Sequence, residues 1–93
     1  MTLKLVATSQ FRRDLKTIKK RGLDITALED VLTRLCAEET FGERLRDHAL
    51  VGNYAGFREC HIKPDWLLVY AIDNDKLILT ASRTGTHSDL FNN

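Results

Sequence analysis

The chain reads as a single α+β domain, in which an N-terminal strand and a helical hairpin pack on a mostly antiparallel sheet of about four strands. Three observations predict this. Apolar residues recur at intervals of three and four between Phe11 and Cys36, the period of helices packed by one face. Trp66 to Ile72 is a continuous apolar run bounded by turn residues, as expected of a strand covered on both faces or nearly so. The strand-forming segments after residue 55 follow one another without intervening helices, which suits an antiparallel meander.

Thr2 to Ala7 places Leu3 and Leu5 on one side and Lys4 on the other, predicting a short first strand. Ser9 can cap a helix carrying Phe11, Leu15 and Ile18 that ends near Lys20, with Gly22 suited to its C-terminal cap. Asp24 is the expected cap of a second helix from Ile25 to about Ala37, with Leu23 and Leu28 as a hydrophobic staple and Leu28, Val31, Leu32, Leu35 and Cys36 along one face. The short Arg21-Gly22-Leu23 link makes the two helices an antiparallel pair. From Glu38 to Ala55 periodicity disappears, so a long irregular connection is expected, a kind of segment that is often functional. Strands then run from Gly56 through Ile62, from Trp66 to Asp73 and from Lys76 to Thr84, and Gly85 to Phe91 forms a short helical turn or tail beside the Pro64-Asp65 hairpin.

At 93 residues with 43% hydrophobic content and one proline, the chain suits one compact domain. It has no run of about 18 apolar residues, and Met1 to Gln10 lacks the apolar segment of a signal peptide, so a soluble cytoplasmic protein with no membrane association is expected. Cys36 and Cys60 sit in apolar patterns without a C-x-x-C motif and read as reduced packing residues; a lone Cys60-His61 dipeptide is a weak signal for a metal ligand or nucleophile. The net charge of +1 hides an asymmetry: residues 1–22 hold seven basic residues against Asp14 alone, and the rest of the chain holds seven against twelve acids. Arg12, Arg13, Lys16, Lys19 and Lys20 cover most of the polar surface of the first helix. Such a rigid basic face fits a polyanion, most simply nucleic acid, and equally a solvated surface.

Every histidine lies in one of three short segments: Asp47-His48-Ala49-Leu50-Val51-Gly52, Arg58-Glu59-Cys60-His61-Ile62-Lys63-Pro64-Asp65-Trp66, and Arg83-Thr84-Gly85-Thr86-His87-Ser88-Asp89-Leu90-Phe91. The ordered pattern D-H-x-L-x-G, R-x-x-H-x-x-P-D-W, R-T-G-T-H-x-x-L-F resembles the YafQ-type toxins of the RelE/ParE superfamily, closely over the C-terminal half and in pattern only over the N-terminal half. Ala49 stands where relatives often carry proline.

The resemblance implies a RelE-like fold and a ribosome-dependent messenger-RNA endonuclease, the toxin of a type II toxin-antitoxin pair, whose partners are a cognate antitoxin, the ribosome and mRNA. It also implies that His48, His61, Asp65 and His87 are active-site residues assisted by Arg83. Metal-free RNA cleavage by the ribose 2′-hydroxyl needs a base, an acid and a cation, and these five residues supply that set. Spacing does not assign the roles. His48 or Asp65 is the candidate base and His87 the candidate acid, with His61 orienting or stabilising charge and Arg83 holding phosphate oxygens. Trp66 and Phe91 are candidates for base stacking, Phe91 ahead of Trp66, for which a core position is at least as good a reading. Arg58 and Lys63 are candidates for phosphate contacts, or are charges protecting a strand edge. No cofactor is implied, and no metal-ligand spacing is recognisable in the linear sequence. Ribosome docking falls to Arg12, Arg13, Lys16, Lys19 and Lys20. Two alternatives stand beside this reading: a ParE-type inhibitor that is not a nuclease, and a plain RNA-binding domain using the Arg12 to Arg21 face.

Overall fold

The computed structural model describes residues 2–38 and 47–91. The elements run β1 (Lys4–Ala7), α1 (Ser9–Lys20), α2 (Ile25–Cys36), β2 (His48–Ala49), a 3-10 turn at Gly52–Tyr54, β3 (Arg58–Lys63), β4 (Trp66–Asp73), β5 (Ile78–Gly85) and α3 (His87–Phe91). The sheet order is β1-β5-β4-β3-β2; β1 is parallel to β5 and the other neighbours are antiparallel. The expected α+β architecture and meander are present. The described sheet has five strands where about four were expected, because His48 and Ala49 pair with Glu59 and Arg58 inside the segment read as irregular. Two residues have no periodicity to detect. Residues 39–46 of that expected connection lie outside the described residues.

Local chemistry sets the helix boundaries. Thr8, and not Ser9, caps α1: its Oγ1 accepts the Phe11 N–H at 3.0 Å and its hydroxyl donates to the Ser82 carbonyl at 2.9 Å. Both are plausible caps by type, and the tie to β5 selects Thr8. Gly22 follows α1 with φ +77°, a left-handed conformation that glycine adopts without steric cost. Asp24 caps α2 as expected, accepting the Thr26 N–H at 3.0 Å.

The core divides by strand alternation. On one face, Leu3, Cys60, Ile62, Trp66, Leu68, Tyr70, Leu79 and Ala81 meet Phe11 and Ile18 of α1 and the apolar stripe of α2. On the other, Leu67 and Val69 pack with Leu90 and with partly buried Leu50, Phe57 and Phe91. Both faces of β4 are therefore covered, which explains its lack of polar alternation. Burial of each large side chain there contributes roughly 1.5–3 kcal/mol. The smaller core matters for position: it seats α3 and the loop after β2 on the face that bears the histidines. No helix among the described residues is long and apolar enough to cross a membrane.

Candidate active site

His61 lies in β3 between Cys60 and Ile62, both committed to the helix-side core, so alternation turns its ring to the opposite face. There it meets the other two histidines. Its ring centroid is 6.5 Å from that of His48 on β2 and 5.8 Å from that of His87 at the start of α3. Phe91, one turn along α3, continues the row at 6.4 Å from His87, and Tyr54 meets Phe91 edge to face at 5.4 Å. Three segments separated in sequence thus form one surface, because β2 and β4 flank β3 and α3 folds back over the smaller core.

Carboxylates flank this row. Asp65, in the turn between β3 and β4, accepts from His87 Nδ1 at 2.9 Å and from the His87 backbone N–H at 3.3 Å. Those two bonds hold the Asp65 carboxyl below its ordinary pKa, the side-chain bond first. Glu59 Oε1 lies 3.5 Å from His48 Nε2. Glu59 is 4% exposed, and His61 Nδ1 is buried with no hydrogen-bond partner among the described residues. Glu59, His61 and His87 each bring one ligand atom to within 4.8 Å of the others, a donor set able to hold a divalent transition ion. Folding builds in space what linear spacing concealed.

Sequence reasoning missed Glu59. The usable signal was period two: residues 59 and 61 share a strand face, so a carboxylate and an imidazole were bound to emerge together. It also missed the acids that engage the arginines. Asp14, the acid of the basic N-terminal segment, accepts from Arg83 Nε at 2.7 Å and Nη2 at 3.2 Å and from the Thr84 N–H at 3.1 Å. Asp47 accepts from Arg58 Nε at 2.7 Å and is hydrogen-bonded to the Tyr70 hydroxyl. Each pairing raises the arginine's pKa, the hydrogen bond to its acid being the main cause.

These contacts sort the remaining candidates. Arg58 shares the strand face of Cys60, and its fork is engaged by Asp47 beside Tyr70 of the helix-side core. Trp66 is 3% exposed; its indole N–H donates to Thr84 Oγ1 at 2.9 Å, whose hydroxyl donates to the Leu67 carbonyl. The stacking role considered for Trp66 is corrected on that ground, since a buried ring offers no face to a base. Partly exposed Phe91 is the ring beside the histidines. Lys63 is exposed at the end of β3, with Asp24 among its charged neighbours. Arg12, Arg13, Lys16, Lys19 and Lys20 are all exposed on α1, opposite its buried Phe11 and Ile18. Cys60 is fully buried, and burial pushes its thiol up to about 12, the opposite of what an activated nucleophile requires.

Known proteins are similar to this chain in sequence and fold. Residues 3–92 match the family described as the bacterial toxin of type II toxin-antitoxin system, YafQ. The mRNA interferase toxin YafQ of Escherichia coli strain K12 is 38% identical over 85 residues, which cover 90% of each chain. The toxin in the E. coli DinJ-YafQ toxin-antitoxin complex superposes with a TM-score of 0.88 at 32% identity, over 98% of this chain and 99% of that one. A metal-bound toxin from Helicobacter pylori gives a TM-score of 0.90 at 40% identity, over 96% and 99%. With the match spanning nearly the whole chain and the histidine row built as described, this protein belongs to the YafQ family of bacterial toxins of type II toxin-antitoxin systems.

Proposed function

We propose that this protein is an mRNA interferase, an endoribonuclease that cuts messenger RNA on the ribosome, and that a cognate antitoxin holds it inactive. The observation that carries the reading is the row of three imidazoles with Asp65 on His87 and buried Glu59 beneath the row, against His48 and within reach of His61 and His87. Asp65 on Nδ1 of His87 fixes that ring's tautomer and leaves Nε2 facing the reactants, the arrangement of an oriented proton carrier. We assign His48 as base and protonated His87 as acid, with Asp65 as orienter. His48 takes the 2′-hydroxyl proton, the 2′-oxygen attacks the adjacent phosphorus, and the 5′-oxygen leaves with a proton from His87. The products are a 2′,3′-cyclic phosphate and a 5′-hydroxyl end. His61, between the two, stabilises the charge that develops on the phosphorane oxygens. Asp14 already takes Nε and Nη2 of Arg83, which leaves less of its fork for a phosphate, so its assistance is secondary to that of His61. Phe91 offers a stacking face to the base beside the cut.

Glu59, His61 and His87 fit a transition ion. Such an ion would supply positive charge to the phosphate, but it would also occupy imidazole lone pairs that proton transfer uses. The chain's own acid-base groups therefore carry the proposed reaction. Antitoxin-free protein added to a translation extract should cut messenger after EDTA treatment of the protein, with cyclic-phosphate ends on the isolated product RNA. Added copper or zinc should slow the reaction. Growth arrest on expression with intact messenger would overturn the reading in favour of a ParE-type inhibitor. Against that alternative stands the histidine row, which a pure binding surface does not require.

A further inference from the structure

The turn that delivers His87 and Phe91 is held from outside the histidine row. Thr86 and Asp89 cap α3 reciprocally: the Thr86 N–H donates to Asp89 Oδ2 at 2.9 Å, and the Asp89 N–H donates to Thr86 Oγ1 at 3.1 Å. The same Asp89 carboxylate receives both terminal nitrogens of Arg21, Nη1 at 2.5 Å and Nη2 at 3.0 Å. Arg21 is the C-terminal cap residue of α1, 68 positions away in sequence, so this fork joins the basic helix to the turn bearing His87. Gly85 lies beneath the joint with φ +155°, and a Cβ there would come within 2.9 Å of the Asp89 Cβ and Oδ2. Backbone, cap and ion pair converge on one carboxylate two residues after His87.

A helix of five residues holds its shape poorly alone, since the nucleus of a helix costs more than its first hydrogen bonds return. Its placement must come from contacts. Leu90 anchors one side of α3 in the smaller core, Asp65 holds the His87 ring and N–H, and the Arg21 fork fixes the remaining side. We propose that the Arg21–Asp89 ion pair is a positioning clamp for the RNA-cleaving reaction, setting where His87 and Phe91 stand relative to His61 and His48. The inference rests on the interferase reading. Neither residue touches the reacting atoms; the clamp acts through α3, and a displacement of about 1 Å at a reacting group can cost on the order of 10²-fold in rate.

The experiment measures messenger cleavage on programmed ribosomes by full-length protein carrying Asp89→Ala, Asp89→Asn, Arg21→Lys or Arg21→Ala with Asp89→Ala, each checked by thermal melt. Asp89→Ala should lower kcat about 10- to 10²-fold with KM within about twofold, because the charges of α1 are untouched. Asp89→Asn, which can still accept the Thr86 N–H, and Arg21→Lys, which keeps a charge without the fork, should fall between it and the parent. The double variant should show no larger kcat loss than Asp89→Ala alone, as expected of two halves of one contact. A folded Asp89→Ala protein with kcat within twofold of the parent, or a double variant whose kcat loss exceeds that of Asp89→Ala alone, would overturn the clamp. Should Asp89→Ala fail to fold, Asp89→Asn and Arg21→Lys decide by the same kcat criterion. A parent that cuts no messenger would sink the interferase reading instead; the clamp is then judged by NMR, where the His87 ring and its contact with Phe91 must shift in Asp89→Asn and unchanged signals would refute it.

Discussion

At the residue scale, the site shows how little a side chain's type says before its neighbours are known. His61 and Cys60 are adjacent in β3, yet one faces the histidine row and the other is sealed in the helix-side core. His61→Ala and His87→Ala should each lower messenger cleavage by about 10² to 10⁴ while leaving the thermal melt nearly unchanged, the range typical of lost acid-base assistance. Full activity in both folded variants would remove the histidines from the mechanism. Cys60 makes the opposite prediction. Its folded pKa is raised to about 12, so the native state keeps a proton that the unfolded state gives up. Stability should therefore be intact below the ordinary thiol value near 9 and fall as pH rises from there towards about 12. Tyr70, also raised by burial and by Asp47, acts in the same direction. Cys60→Ala should be less stable overall but should lose less between those pH values, a comparison that denaturant midpoints across the alkaline range would make. The resemblance in sequence named the three histidines, Asp65 and Arg83 as a set, and folding brings the histidines and Asp65 onto one surface; Glu59 was legible only through strand alternation applied to a charged residue.

At the element scale, the helices and the meander were legible because each carries its own period and its own punctuation. Asp24 and Gly22 announced boundaries that the structure keeps. Two features were not legible, for different reasons. β2 is too short to have a pattern and exists only through its pairing with β3. The cap of α1 depends on a partner 74 positions away, the Ser82 carbonyl, which no local rule contains. Thr8→Ala should then cost about 0.5–2 kcal/mol, the usual range for a lost N-cap, and Ser9→Ala within about 0.5 kcal/mol of nothing, as for ordinary surface changes. Urea midpoints of the two variants would distinguish them, and equal losses would argue against Thr8 as the cap. The partners of the arginines were not legible at this scale. Arg58 and Arg83 look free in sequence because Asp47 and Asp14, their acids, arrive from other elements.

At the scale of the whole molecule, the charge asymmetry becomes geometry. Arg12, Arg13, Lys16, Lys19 and Lys20 are displayed on the exposed side of α1, while the histidine row lies on the opposite face of the sheet, beside α3. A chain this small has few surfaces left with which to position a long substrate, so we expect the ribosome to supply the positioning and α1 to supply the grip. Holding the messenger in line for attack can contribute roughly 7–11 kcal/mol in favourable intramolecular systems, more than a single catalytic side chain provides. Lys16, Lys19 and Lys20 are the test. None of them has a partner in the ion pairs that tie α1 to β5 and α3, which use Asp14 and Arg21, so reversing all three to glutamate should leave the fold and the row of histidines in place. Ribosome binding should weaken, and the logarithm of the remaining affinity should fall less steeply with the logarithm of salt concentration, because fewer counterions are released per contact. Cleavage of ribosome-bound messenger should fall with binding, whereas the slow cleavage of naked RNA should change far less. Equal parent rates on naked and ribosome-bound messenger would defeat the docking argument, since the histidine row would then need no help in arranging its substrate.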